Sequence, residues 1–193
     1  MNLFFVSLGC DKNLVDSEYM IGLSKKAGYE IVSQEEDADV IVINTCCFIH
    51  DAKEESIETI LEMASYKENR CKLLVVTGCL AQRYPEEIRE ELPEVDIILG
   101  SANYDDIICA IEKAIKEKKV TMIKDLTYLP DMSEVDRVIT TGNHLAYLKI
   151  AEGCSKRCTY CIIPSIRGNY RSVPMEHIVK EAEKLAADGI REL

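Results

Sequence analysis

The sequence predicts an α/β fold, a parallel sheet with helices on both faces, and three observations carry that expectation. Short Val- and Ile-rich runs alternate with helix-like stretches from residue 3 to about residue 118. The runs are nearly continuous in apolar residues, as strands buried on both faces should be. Finally, 47% hydrophobic and 30% charged residues describe an ordinary globular chain and not a disordered one.

Taken in order, Leu3–Leu8 is a short apolar run ending at Gly9-Cys10, a buried strand. Val15–Ala27 reads as an amphipathic helix closed by Gly28. Tyr29–Ser33 is a second strand and Val40–Asn44, almost wholly β-branched, a third. Asp51–Tyr66 is a helix whose expected apolar stripe is Ile57, Ile60, Leu61 and Ala64. Leu73–Thr77 is the fourth strand, Pro85–Glu91 a short helix with Pro in its first turn, Val95–Leu99 the fifth strand and Tyr104–Lys118 a further helix. Five such strands suggest a flavodoxin-like order 2-1-3-4-5. Only Gln34–Asp39 separates strands two and three, so a single helical turn must serve as that crossover. Thr121-Met122-Ile123 could add a strand, and residues 123–143, with Pro130 and mixed polar residues, read as a linker.

A second unit is expected over residues 144–193, after a first over residues 1–122. Leu145–Ile150 reads as a strand, Met175–Asp188 as a helix with Ile178, Ala182 and Leu185 on one face and Gly189 as its stop, and Ile190–Leu193 as the beginning of another strand. One strand, one helix and a stub do not close a fold, so the chain is expected to be the N-terminal part of a longer α/β protein.

The net charge of −11 hides an asymmetry: residues 149–193 carry 8 Lys/Arg against 6 Asp/Glu, and residues 1–148 carry 15 against 28, or −13. So acidic a unit repels phosphate backbones and suits a basic partner better. With no Trp and 6% aromatics, a base-stacking platform is not expected either. Leu3–Leu8 is too short for a signal-peptide core and no run reaches membrane-span length, so a cytoplasmic location without membrane contact is expected.

Nine cysteines in such a chain suggest metal or redox chemistry rather than disulfides. Cys154, Cys158 and Cys161 form C-x3-C-x2-C on a loop after a strand. Three thiolates within eight residues can wrap one side of an iron–sulfur cluster and leave one metal open. Zinc, the alternative, would want a fourth protein ligand, and the nearest histidines, His144 and His177, lack metal spacing. Cys10, Cys46 and Cys79 each follow an apolar strand, so in a parallel sheet they emerge on one edge. In the order 2-1-3-4-5 their strands are neighbours at ~4.8 Å spacing, within reach of one cluster. Free cysteines buried at strand ends are the competing reading. Cys71 and Cys109 read as structural, the latter as a core position among Ile107, Ile108 and Ile111.

C-x3-C-x-aromatic-C after the first strand of an α/β barrel resembles the radical S-adenosylmethionine (SAM) enzymes. That resemblance implies a 4Fe–4S cluster held by Cys154, Cys158 and Cys161, SAM bound at its open iron, and Tyr160 near the adenine, unless Tyr160 is merely a core aromatic. Ser7–Glu18, Asn44-Thr45-Cys46, Gly78-Cys79-Leu80, Glu152-Gly153-Cys154 and Ile162–Gly168 together resemble the methylthiotransferase family over essentially the whole chain. Here the resemblance implies a second 4Fe–4S cluster on Cys10, Cys46 and Cys79, with the end of the chain forming the truncated start of a radical SAM (β/α) barrel. Gly9-Cys10-Asp11-Lys12-Asn13 departs from the Gly-Cys-Gln-Met-Asn usual in transfer-RNA-modifying members. It is more similar to the branch that places a methylthio group on the β-carbon of an aspartate of small-subunit ribosomal protein S-twelve. That branch often has proline where Asp11 stands and a small residue where Cys47 stands, so Cys47 reads as a bystander. The implied reaction uses SAM both as methyl donor and as radical source, with an external electron donor. The chain alone is expected to be inactive. A transfer-RNA methylthiotransferase and a non-catalytic iron–sulfur module are the rival readings.

Overall fold

Six parallel strands, in the order β2-β1-β3-β4-β5-β6, make up the main sheet of the computed structural model, which describes residues 1–142 and 144–193. Asn143, the last residue of the expected linker, lies outside the described residues. The strands are β1 Asn2–Ser7, β2 Glu30–Ile31, β3 Val40–Thr45, β4 Leu73–Gly78, β5 Ile97–Gly100 and β6 Val120–Met122. The expected order is observed, and the sixth strand expected near Thr121-Met122-Ile123 extends it as β6. Its central members β3 and β4 are buried along their whole length, which explains their lack of polar alternation.

Residue parity divides the core. Ile41, Ile43, Leu74, Val76 and Ile98 face α2 (His50–Ala64), α3 (Cys79–Arg83) and α4 (Pro85–Glu91), meeting Ile60, Met63, Leu80 and Ile88. Val40, Val42, Val75, Ile97 and Leu99 face the other way, toward α1 (Asp11–Lys26) and α5 (Ile107–Glu117), where Met20, Ile107 and Ile111 wait. The β2-to-β3 passage does use a single turn, the 3-10 turn Glu35–Asp37. It suffices because β2 is only two residues long and lies at the sheet edge.

Several local expectations are corrected. The first helix begins at Asp11, four residues earlier than its apolar periodicity suggests, because Cys10 is extended and caps it. The buried face of α2 is Ser56, Ile60 and Met63, while Ile57 and Leu61 are exposed. Leu73 is preceded by a buried Cys71, as expected, but Cys109 is exposed: it lies on the outer side of α5 from Ile107, Ala110 and Ile111. Leu145–Ile150 is not a continuous strand. A single parallel bridge joins Leu145 to Glu192, since the stub beside it offers too few partners for a ladder. The helix expected over Met175–Asp188 is α7 (Met175–Ala187), ending before Gly189 as expected; it is preceded by a short unexpected helix, α6 (Ile163–Arg167). A two-stranded antiparallel ribbon, β7 (Ala151–Glu152) with β8 (Arg171–Ser172), closes the cysteine loop.

The segment expected to be a linker is packed along α1. Arg137 is buried with its Nε 3.3 Å from Glu18 Oε2 and 3.4 Å from Glu181 Oε1, and it lies over the Tyr19 ring. Thr140 donates to Glu18 through both its backbone N–H and its hydroxyl. This explains why α1 buries Asn13, Asp16, Ser17 and Glu18: its polar side is covered by later parts of the chain. Among the described residues no helix is long and apolar enough to cross a membrane.

Candidate metal centres

The register Ser7↔Asn44 and Asn44↔Thr77 brings the C-terminal ends of β1, β3 and β4 level. Cys10 caps α1, Cys46 follows β3 by one residue and Cys79 opens α3, so all three stand at one edge of adjacent strands. Cys46 and Cys79 are 6% and 4% exposed, whereas Cys10 is open to solvent. Gly9 has φ +88°, and a Cβ there would lie 2.8 Å from Cys46 Sγ. Gly78 has φ +93°, and a Cβ there would meet Asn44 Oδ1 at 2.4 Å and the Thr45 carbonyl at 2.5 Å. Both turns therefore require the missing side chain.

Hydrogen bonds staple the three loops together. Asn13 Nδ2 donates to the Leu8 carbonyl at 2.9 Å and to the Thr45 carbonyl at 3.0 Å. Asn44 Nδ2 donates to the Asn13 carbonyl and to Ser17 Oγ. Ser56 Oγ accepts from the Cys46 N–H and donates to the Cys46 carbonyl. Burial pushes the Cys79 thiol up, and the Arg167 guanidinium pulls against it. Neighbouring Cys47 sits in the core, and burial pushes its thiol up to about 12, so it stays protonated.

The donor set suits a polynuclear cluster better than one ion. Ligands of a single ion crowd together, but the only group of three metal-ligating side chains within 4.8 Å of one another among the described residues is His50, Asp51 and Glu54, exposed on α2. Three thiols on one rim, not all within that distance of one another, have the chemistry an iron–sulfur cluster uses.

The second triplet occupies the loop between β7 and α6. The Cys154 N–H donates to the Gly168 carbonyl and the Cys161 N–H to the Cys158 carbonyl, each at 3.0 Å, and Arg157 takes a left-handed conformation at φ 51° to make the turn. Cys158 is exposed; Cys154 and Cys161 are half-buried. Cys158, Cys161 and Arg157 line an open cleft of about 610 Å³ whose other wall includes Gln82, three residues after Cys79. Tyr160 is 90% exposed, so it is no core aromatic here.

The residues joining the two triplets escaped sequence reasoning. Arg167, at the end of α6, is buried and donates from Nη1 to Asp16 Oδ2 at 2.8 Å and Glu152 Oε1 at 3.3 Å, from Nη2 to Asn13 Oδ1, and from Nε to Cys79 Sγ at 3.3 Å. Lys149 pairs with Asp16 and Glu152 and lies over the Tyr104 ring. Burial works against the charges of Lys149, Arg167 and Glu152, but the neighbours win: Lys149 and Arg167 are held above their ordinary values, and Glu152 below the carboxylate range. The nearest signal was the place of Arg167 in Ile163–Gly168 and of Asp16 in Ser7–Glu18, two stretches already singled out by motif.

Residues 2–100 match the model of Uncharacterized protein family UPF0004, and residues 148–193 that of the Radical SAM superfamily. The chain belongs to family UPF0004. Among curated relatives, it is 58% identical to Ribosomal protein uS12 methylthiotransferase RimO of Lachnoclostridium phytofermentans, over 100% of this chain and 44% of that protein. The proteins of that name from Caldicellulosiruptor saccharolyticus and Pelotomaculum thermopropionicum are 55% and 52% identical, over 98% and 97% of this chain and 43% and 42% of theirs. The chain thus spans less than half the length of these relatives. The radical SAM match implies SAM and iron–sulfur chemistry for the C-terminal segment.

Proposed function

We propose that this chain carries the two iron–sulfur sites of a cytoplasmic methylthiotransferase that modifies the β-carbon of an aspartate of small-subunit ribosomal protein S-twelve. In this reading residues 1–122 form the auxiliary-cluster unit, 123–143 the connection and 144–193 the start of the radical SAM unit. Cys10, Cys46 and Cys79 hold one 4Fe–4S cluster, and Cys154, Cys158 and Cys161 the other. The observation that carries the reading is the gathering of Cys10, Cys46 and Cys79 on one rim of β1, β3 and β4.

The target C–H bond is not acidic, so no side chain of ordinary pKa can remove its hydrogen. When bound, the two clusters and SAM supply the radical and the methylthio group, which is the difficult chemistry. The chain's own residues position and shield. Three thiolates at each site leave one corner free for SAM or for sulfur. Gly9 and Gly78 let the backbone approach the first cluster closely, Cys47 stays a neutral part of the core, and Tyr160 is free to lie against the adenine. The relatives' names support the choice of substrate. An electron donor must act from outside, because reductive cleavage of SAM consumes an electron.

The test uses the full-length protein, reconstituted without oxygen. About eight irons per chain are expected for two cubes. Replacing either triplet by Ala should remove half, whereas Cys47→Ser and Cys109→Ser should remove none. Incubation with SAM and a reductant should then place a methylthio group on the S-twelve protein. Modification of transfer RNA alone would overturn the substrate, and full iron without SAM cleavage would leave only a non-catalytic module.

A further inference from the structure

Arg167 belongs to the segment that follows the loop triplet, yet its guanidinium ends on a thiol of the rim triplet. It is 4% exposed, and each of its three nitrogens has a partner: Cys79 Sγ and Asn13 Oδ1 on the N-terminal side, Asp16 Oδ2 from α1, and Glu152 Oε1 beside its own loop. The buried charges around it balance only if Cys79 is counted as neutral: Arg167 and Lys149 face Asp16 and Glu152. A thiolate at Cys79 adds one negative charge, and the donor aimed at it is cationic. Hydrogen bonds to the sulfur of a ligand are among the determinants of a cluster's reduction potential. They favour the more negative, reduced state.

We propose that Arg167 is a positioning residue for the rim site, which orients Cys79 as a thiolate ligand and raises the reduction potential of the cluster held there. Since Arg167 is seated by the Cys154–Gly168 segment, the rim site is completed by the neighbouring unit and is not finished by residues 1–122 alone. This rests on reading Cys79 as a cluster ligand.

The experiment uses full-length protein in which Cys154, Cys158 and Cys161 are Ala, so that only the rim cluster reports. Iron content, melting temperature and midpoint potential, the last followed by electron paramagnetic resonance, are measured with and without Arg167→Lys, Arg167→Gln and the pair Asp16→Asn/Arg167→Gln. The pair keeps the buried charges matched, whereas Arg167→Gln alone leaves two buried carboxylates against one cation, so the pair keeps the test open if the single variant does not fold. The expected result is a more negative midpoint potential in the pair, a smaller shift in Arg167→Lys, and iron retention weakened roughly 10–100-fold, as loss of an outer-shell partner causes. A folded pair with the parent's potential and retention would overturn the proposal and leave Arg167 a structural ion-pair member. If the parent itself binds no iron, the ligand reading of Cys79 fails, and this inference fails with it.

Discussion

The two cysteine triplets are built by opposite means. Cys10, Cys46 and Cys79 come from distant parts of the chain and meet because parallel register aligns three strand ends. Cys154, Cys158 and Cys161 come from eight successive residues and meet because a loop bends around them. The first set is held by Asn13, Asn44 and Ser56 and is mostly buried; the second rests on two backbone hydrogen bonds and faces an open cleft. A site made by a sheet inherits the sheet's stability, whereas a site made by a loop is shaped more by what it binds.

That contrast can be broken most forcefully at Gly78. Gly78→Ala puts a Cβ against Asn44 and Thr45 at a left-handed φ, and should cost on the order of 4 kcal/mol by denaturant unfolding. Rim-site iron should fall while loop-site iron remains; equal loss from both would show that the sites do not differ in this way. Next is Asn13→Ala, which leaves the Leu8 and Thr45 carbonyls without their shared donor and should cost about 2 kcal/mol in the same assay.

The cysteines themselves sharpen the comparison in metal-free protein. Cys46→Ser places a hydroxyl in the buried rim and should cost about 1 kcal/mol, while Cys158→Ser, exposed, should stay within about 0.5 kcal/mol. Both should abolish iron at their own site, so stability and metal loading separate at one site and not at the other.

A smaller effect concerns acid. The Asn2 backbone N–H beside Asp39 holds its carboxyl below the ordinary range against the opposing effect of burial, with Lys72 and Arg70 helping. A carboxyl lowered on folding contributes stability above its unfolded pKa of about 3.9, and loses it as pH falls toward the folded value. Asp39→Asn should therefore lower the unfolding midpoint at pH 7, where the contribution is fully present, and converge with the parent below about pH 4, which flattens the acid limb. An unchanged acid limb would remove Asp39 from the account.

Much of the sheet was legible because buried parallel strands leave continuous Val/Ile runs, and strand order followed from their number and spacing. The rim cysteines were legible for the same reason: each marks a strand end. What could not be read were features set by contacts between distant segments. Ile57 and Leu61 satisfy helical periodicity as well as Ser56 and Met63 do, and only the packing of α2 decides which face is covered. Cys109 stands among isoleucines in sequence but about 200° around the helix from the buried Ile107 and Ile111. Leu145–Ile150 has a strand's composition, yet a strand exists only where a neighbour offers its carbonyls and amides. The Arg167 network joins positions more than a hundred residues apart, and no local pattern announces such a match.

The packing of residues 123–142 along α1 limits how the two halves can be recombined. A chimaera cut near residue 122 would strip Glu18 of Arg137 and Thr140, and Asp16 of Lys149 and Arg167, leaving carboxylates stranded on a surface shaped for cations. Exchange of either half with a relative should succeed only if these acid–base couples travel as matched sets.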